Sequence, residues 1–219
     1  MPISLVLEHP SHPGNIGASA RAMHTMGLDK LILINPCELT EEAYLRARNG
    51  KYIIEACEIY ENVSCLDKFH ILYGTTSRQR SLHLPVYNAA TAATILNQHI
   101  DADIAILFGN ETNGLSNQLL NKCSAIIEIP AEPGCSLNLS HALQIICYEL
   151  RAQKTLPHKQ SFATLAERKQ FIAWLEKTHQ HSNTLLPHTL TRVLDIINKA
   201  KLSPEELRLL YSLMGNSGS

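Results

Sequence analysis

Apolar residues in the body of the chain fall in short, nearly unbroken runs separated by stretches of helical period. Five runs rich in Val, Ile and Leu predict strands: Ile3–Leu7, Leu31–Asn35, His70–Thr75, Ile104–Phe108 and Ala125–Ile129. Continuous runs of this length, without polar alternation, suit parallel strands covered on both faces. Helices are expected between them. Asn15 is the expected N-cap of the first and Gly27 its C′ residue. Tyr52, Ile53, Ala56 and Ile59 form one face of the next, and Ala89–Leu96 and Leu115–Leu120 supply two more. Leu139–Leu150 is strongly apolar and is opened by Asn138 or Ser136 as cap. Strands alternating with helices predict an α/β fold with a parallel sheet.

Beyond Arg151 the texture changes. Lys154 to Ser161 is polar, contains Pro157 and reads as a linker, which divides the chain into a body, 1–153, and a helical extension, 154–219. Three amphipathic patterns follow, Thr164–Thr178, His188–Ala200 and Pro204–Met214. Ser203-Pro204-Glu205-Glu206 has Ser as cap, Pro at the first helical position and acids in the first turn. The extension is too small for a core of its own, so it is expected to pack on the body, on a second subunit or on a ligand. No internal repeat is visible, and Asn216 to Ser219 is expected to fray.

The 219 residues are 45% hydrophobic, as in soluble globular proteins. No apolar run approaches the roughly 18 residues that cross a bilayer. Met1 to Leu7 lacks a basic flank and meets Glu8 at once, unlike a signal peptide. The six cysteines form no CxxC pair and no His/Cys cluster at zinc spacing, which predicts reduced thiols in a cytoplasmic protein without a metal. The net charge of −1 hides an asymmetry: residues 1–150 hold 9 Lys+Arg against 15 Asp+Glu, and residues 151–219 hold 10 against 5. A basic tail on an acidic body suggests a polyanion partner, although a solvated helical surface accounts for the same charges.

Three polar patches interrupt the apolar pattern, each between a strand and a helix. They are Gly14-Asn15-Ile16-Gly17 with Arg21 behind it, Phe108-Gly109-Asn110-Glu111-Thr112-Asn113-Gly114-Leu115, and Ser136-Leu137-Asn138-Leu139-Ser140. Strand-to-helix turns are where open α/β sheets collect their active sites, so the three are expected to form one composite site. A Rossmann dehydrogenase is disfavoured: the full GxGxxG spacing is missing, and Asn35-Pro36 stands where a ribose-binding acid belongs. No Walker sequence is present. Gly109 lets backbone approach a flat ligand, and Gly134-Cys135 forms a small-residue turn before backbone N–H groups at Ser136 to Asn138. Such loops hold an adenosine-like ligand by shape and backbone groups.

On these residues the chain resembles the SpoU (TrmH) branch of the SPOUT RNA 2′-O-methyltransferases, and within it the TrmJ-type tRNA methyltransferases. Asn15, Gly17 and Arg21 match the first family motif. Phe108-Gly109-x-Glu111-x-x-Gly114-Leu115 matches the second, and Ile129-Pro130 followed by Ser136 to Ser140 matches the third. Thr75-Thr76-Ser77-Arg78 matches a further segment, so residues 1–153 are covered in order; the tail resembles the helical extension more loosely. Two features depart from the pattern. The loop from Pro130 to Ser136 is about one residue short, with Gly134 or Cys135 where relatives tend to carry an aromatic, and Asn110 stands where Arg is frequent.

The resemblance implies a SPOUT fold with a C-terminal trefoil knot, S-adenosylmethionine as methyl donor, and a homodimer with its sites at the subunit interface. Thr75, Thr76, Ser77, Gly109, Ile129, Ser136 and Leu137 would line the donor; Arg21, Asn15, Glu111, Ser136 and Asn138 would form the catalytic polar site. Glu111 would orient Arg21 or Asn15 across the interface. A guanidinium stays protonated, so Arg21 is expected to clamp a phosphate and stabilise the developing alkoxide rather than act as base. His12, Arg46, Arg48, Lys51, Arg78, Arg80 and the tail are the expected RNA contacts. The implied activity is methyl transfer to a ribose 2′-hydroxyl of tRNA, at cytidine or uridine 32 of the anticodon loop. The alternatives are another tRNA position, ribosomal RNA, or a non-catalytic RNA-binding relative.

Overall fold

The computed structural model describes residues 3–77, 83–99, 101–132, 134–153, 162–179 and 187–215. The expected linker, Lys154 to Ser161, and the frayed end at Asn216 lie outside them, as do Arg78 and Arg80. Seven strands form one sheet: β1 (Ile3–Glu8), β2 (Leu31–Ile34), β3 (Glu58–Tyr60), β4 (Ile71–Thr75), β5 (Val86–Tyr87), β6 (Ile104–Phe108) and β7 (Ala125–Ile127). Their order is β3-β2-β1-β6-β4-β7-β5, and every pairing is parallel. The five strands expected from apolar runs are the central five. The two missed strands are the edges, short and partly exposed, so neither carries the apolar run of a doubly covered strand.

Alternate residues of the central strands feed two cores, as the two-residue period of a strand requires. Leu5, Leu7, Leu33, Tyr73 and Ile106 face α1 (Pro13–Met26), α4 (Ala89–Asn97) and α6 (Leu139–Ala152). Val6, Ile32, Ile34, Leu72 and Leu107 face Leu66, Phe69, Leu119 and Leu120. Each such fully buried side chain contributes about 1.5–3 kcal/mol. α2 (Glu41–Ala47) and α3 (Lys51–Glu55) flank α1, and α5 (Asn117–Leu120) is a short turn of helix. Ile59, expected on a helical face with Tyr52, lies in β3 instead, because α3 ends at Glu55.

Helix starts decide where the polar patches stand. The N-cap of α1 lies three residues before the expected one: it is His12, its Nδ1 accepting from the Gly14 amide at 3.2 Å, and Pro13 sets the first helical φ. Asn15 is thereby freed for a tertiary contact. Gly27 closes α1 in the left-handed conformation, φ 73°, as expected. α6 is capped by Asn138, whose Oδ1 accepts from the Ser140 amide at 2.9 Å.

The extension holds α7 (Leu165–His179), α8 (Pro187–Ala200) and α9 (Pro204–Gly215). Thr164 with Glu167, and Ser203 with Glu206, are reciprocal capping boxes at the starts of α7 and α9. Phe171, Leu175, Ile197 and Leu207 make a small third core. Of the three expected arrangements for the tail, the chain shows packing on the body. Leu165 joins the second core, and its amide donates to the Phe69 carbonyl at 2.8 Å. Arg168, 3% exposed, donates to the His70 carbonyl at 3.1 Å and to Asn198 Oδ1 at 3.2 Å. Burial draws that guanidinium down to about 10, against a smaller opposing effect of the Cys123 thiol.

Candidate active site

The carboxyl ends of four adjacent strands, β1, β6, β4 and β7, open on one side of the sheet, and the second and third polar patches converge there. Thr75 Oγ1 donates to the Leu107 carbonyl at 2.9 Å, tying the end of β4 to β6. After β6 the chain turns through residues 110–114, where the Gly114 amide donates to the Asn110 carbonyl at 2.8 Å and the Thr112 amide to Asn110 Oδ1 at 2.9 Å. Asn110 Nδ2 also donates to the His9 carbonyl at 2.7 Å, anchoring the turn to the chain leaving β1. Sequence reasoning gave Asn110 no such role; an Asx-type turn beginning at Asn is the local signal that could have. Gly109 is required by contact: a Cβ there would stand 2.2 Å from the Gly114 carbonyl carbon and the Leu115 nitrogen.

The cavity so enclosed has a volume of about 440 Å³, within the range of small-molecule and cofactor sites. Thr75, Thr76, Ser77, Gly109, Ile129, Ser136 and Leu137, all seven expected donor-binding residues, line it, with Glu111, Gly134 and Cys135. Ile127, Ile129, Leu137 and Leu139 provide apolar surface, and Thr76, Ser77 and Ser136 provide hydroxyls. Those two kinds of surface fit a nucleoside with a polar tail.

At one wall the three patches are joined by hydrogen bonds. Glu111 accepts from Asn15 Nδ2 at 2.8 Å through Oε1, and from the Ser11 amide at 2.9 Å and hydroxyl at 2.7 Å through Oε2. Asn15 Oδ1 in turn accepts from Asn138 Nδ2 at 3.0 Å. Partial burial pushes the Glu111 carboxyl up, but the donors from Asn15 and Ser11 outweigh it and hold the group below its ordinary range. Glu111 is therefore an anion at neutral pH. Of the two partners expected for Glu111, Arg21 or Asn15, the chain itself supplies Asn15, without an interface. Ser11 was missed, and its one sequence signal is its place at the end of β1.

Arg21 is elsewhere on this chain. It is exposed on α1 and lines a separate depression with Ala18, Thr25, Arg46, Arg48 and Gln144. His12 acts as the α1 cap, and Lys51 is exposed at the start of α3.

Residues 2–148 match the SpoU rRNA Methylase family. The chain belongs to that family. It is 30% identical to the tRNA (cytidine/uridine/adenosine-2′-O-)-methyltransferase TrmJ of Pseudomonas aeruginosa, over 97% of this chain and 92% of that protein. The crystal structure of TrmJ from Z. mobilis ZM4 is 25% identical and superposes with a TM-score of 0.84 over 99% of each chain. The SpoU methyltransferase AviRb from Streptomyces viridochromogenes, solved in complex with the cofactor AdoMet, shares the fold at 23% identity and a TM-score of 0.55, over 69% of this chain and 60% of that one. As a SpoU family member, the chain has a SPOUT-type α/β sheet with its motif loops gathered at one sheet end. No group of acids, His and Cys that could hold a metal occurs among the described residues, and no helix among them is long and apolar enough to cross a membrane.

Proposed function

We propose that this protein transfers the methyl group of S-adenosylmethionine to a ribose 2′-hydroxyl of tRNA in the cytoplasm, at cytidine or uridine 32 of the anticodon loop. One observation carries the reading: the hydrogen-bonded chain Ser11–Glu111–Asn15–Asn138 stands at the wall of a nucleoside-sized cavity and joins all three family motifs. The near full-length likeness to TrmJ relatives supports the substrate class.

Thr75, Thr76, Ser77, Gly109, Ile129, Ser136 and Leu137 would hold the methyl donor. When bound, it supplies an electrophilic methyl carbon on a sulfonium. Apolar walls at Ile129 and Leu137 exclude water, and the anionic Glu111 favours a cation nearby. Glu111 holds Asn15, and Asn15 holds Asn138, so the amides at the rim are fixed before substrate arrives; preorganisation of this kind lowers the barrier of an in-line displacement. Arg21 clamps a phosphate beside the target ribose bidentately and stabilises charge on the 2′-oxygen, while a phosphate oxygen or water accepts the proton.

On one chain Arg21 is not among the residues lining the cavity. The active unit is accordingly a homodimer in which the partner subunit supplies this guanidinium, with the β7–α6 segment knotted as in the SPOUT architecture. Labelled donor incubated with total tRNA, followed by mass-spectrometric mapping of the modified ribose, tests the reading. Label at ribose 32 is expected. Label confined to a different ribose of tRNA overturns the position, and donor uptake without transfer to tRNA overturns the reading.

A further inference from the structure

The depression around Arg21 holds more positive charge than its position in an acidic body would suggest. Of the nine Lys and Arg residues before residue 151, three line it: Arg21, Arg46 and Arg48. They come from α1, from α2 and from the turn that follows α2. Close backbone packing brings these elements together. A Cβ at Gly17 would lie 2.1 Å from the Ala43 carbonyl oxygen, and one at Gly50 would lie 2.6 Å from the Ala20 carbonyl oxygen. α2 and the turn are thus pressed onto α1 on either side of the arginines.

The local charge is not neutralised. Arg46 Nε pairs with Glu42 at 3.0 Å. Among the described residues neither Arg21 nor Arg48 has a carboxylate within salt-bridge distance. All three side chains are exposed. Arg48 is also held at φ 54°, a backbone conformation that disfavours a non-glycine residue. Two exposed guanidiniums with no carboxylate partner among the described residues, lining one depression with a third, suit an anion with several oxygens.

The depression also reaches toward the first turn of α1, which joins the wall of this chain's own cavity. The Glu42–Arg46 pair lies over the first turn of α1, where a Cβ on Gly14 would meet Glu42 Oε1 at 2.5 Å and Arg46 Nε at 2.9 Å. The next residue, Asn15, bonds to Glu111 in the cavity wall. α6 borders both places, with Ala142 at the cavity and Gln144 at the depression.

We propose that Arg46 and Arg48, with Arg21, form a phosphate cradle that holds the RNA backbone flanking the methylated nucleotide. The inference rests on the methyltransferase reading and adds to it a substrate-positioning surface that the three family motifs do not contain. Guanidinium forks suit paired phosphate oxygens, and each phosphate they neutralise releases counterions.

The test compares wild type with Arg46→Gln, Arg48→Gln and the double variant, each checked by circular dichroism and thermal melting. Binding of total tRNA is measured against salt concentration, together with steady-state methylation and donor binding by calorimetry. The slope of log affinity against log salt is expected to fall by about 0.7–0.9 per arginine removed. KM for tRNA should rise at least 10-fold in the double variant, with donor affinity unchanged. A folded double variant with the wild-type salt slope overturns the cradle. So does one that keeps the slope but changes sedimentation without RNA, which would assign these arginines to a subunit contact. Absence of methyl transfer by wild type would instead overturn the enzyme reading, and the binding slopes would still decide the cradle.

Discussion

Replacing Glu111 by Gln removes one charge and exchanges one acceptor for a donor, at a place where both oxygens are committed. If the new amide keeps its oxygen toward Asn15, its NH₂ faces the Ser11 amide, which cannot turn round. If the oxygen faces Ser11, the NH₂ faces the NH₂ of Asn15. Asn15 could then flip, but its own NH₂ would meet Asn138 Nδ2. Asn138 cannot follow without withdrawing the acceptor that caps α6. One charge-assisted hydrogen bond is lost in every arrangement, and such bonds contribute about 1.5–3 kcal/mol. Glu111 is only half-buried, so solvent screening reduces the figure to about 1–2 kcal/mol. For a chain of this size that is a fall of roughly 2–8 °C in Tm. Scanning calorimetry at neutral pH, with methylation assayed on the same samples, measures both consequences. At a pH well below the carboxylate range the two proteins should converge. Glu111 is held below its ordinary range in the folded state, so its contribution is present above the unfolded pKa and lost as pH falls through the folded one. Equal melting temperatures at neutral pH, with undiminished transfer, would refute the claim that the network is a unit.

Arg21→Lys should be nearly as inactive as Arg21→Ala, each at least 10-fold (about 1.4 kcal/mol) below wild type, because a point charge cannot replace the guanidinium fork; single-turnover methylation measures this, and a lysine variant near wild-type rate sinks the clamp. Gly109→Ala drives a methyl group into the Gly114–Leu115 backbone and should cost about 1–3 kcal/mol while weakening donor binding, checked by urea denaturation and calorimetry. His99 is buried against Phe162 and beside Lys201, and burial, with Lys201 adding to it, lowers its pKa from 6.5 to about 4. Its folded pKa lies below the unfolded one, so the stability it contributes is full above pH 6.5 and declines as pH falls toward 4, by up to about 3 kcal/mol. Urea midpoints at pH 7.5 and 5 should differ more in wild type than in His99→Gln; an equal difference in both would exclude His99 as the source.

Much of this protein was legible in the chain. The five central strands and most helices announced themselves through apolar period and caps, and Gly27 and Ser203 mark helix ends by local chemistry alone, whereas the choice of Asn138 over Ser136 as the α6 cap came from the structure. The resemblance to the family also implied seven of the residues that line the cavity. Errors arose where local signals competed. Asn15 has the chemistry of a cap, yet Pro13 starts the helix earlier and Asn15 turns to Glu111. Ile59 fits a helical face, yet it pairs in an edge strand beside β2.

Sequence by itself determined the elements, their ends and the polar residues offered at each strand-to-helix turn, because these depend on neighbours a few positions away. Only the tertiary structure decided what those residues meet. Asn15 finds Glu111 across 96 positions and Asn138 across 123. Arg168 finds the His70 carbonyl across 98, docking the extension on the body. Arg46 and Arg48 reach Arg21 because Gly17 and Gly50 let backbones touch. Strand order and close helix packing fix such meetings, and periodicity carries no record of either.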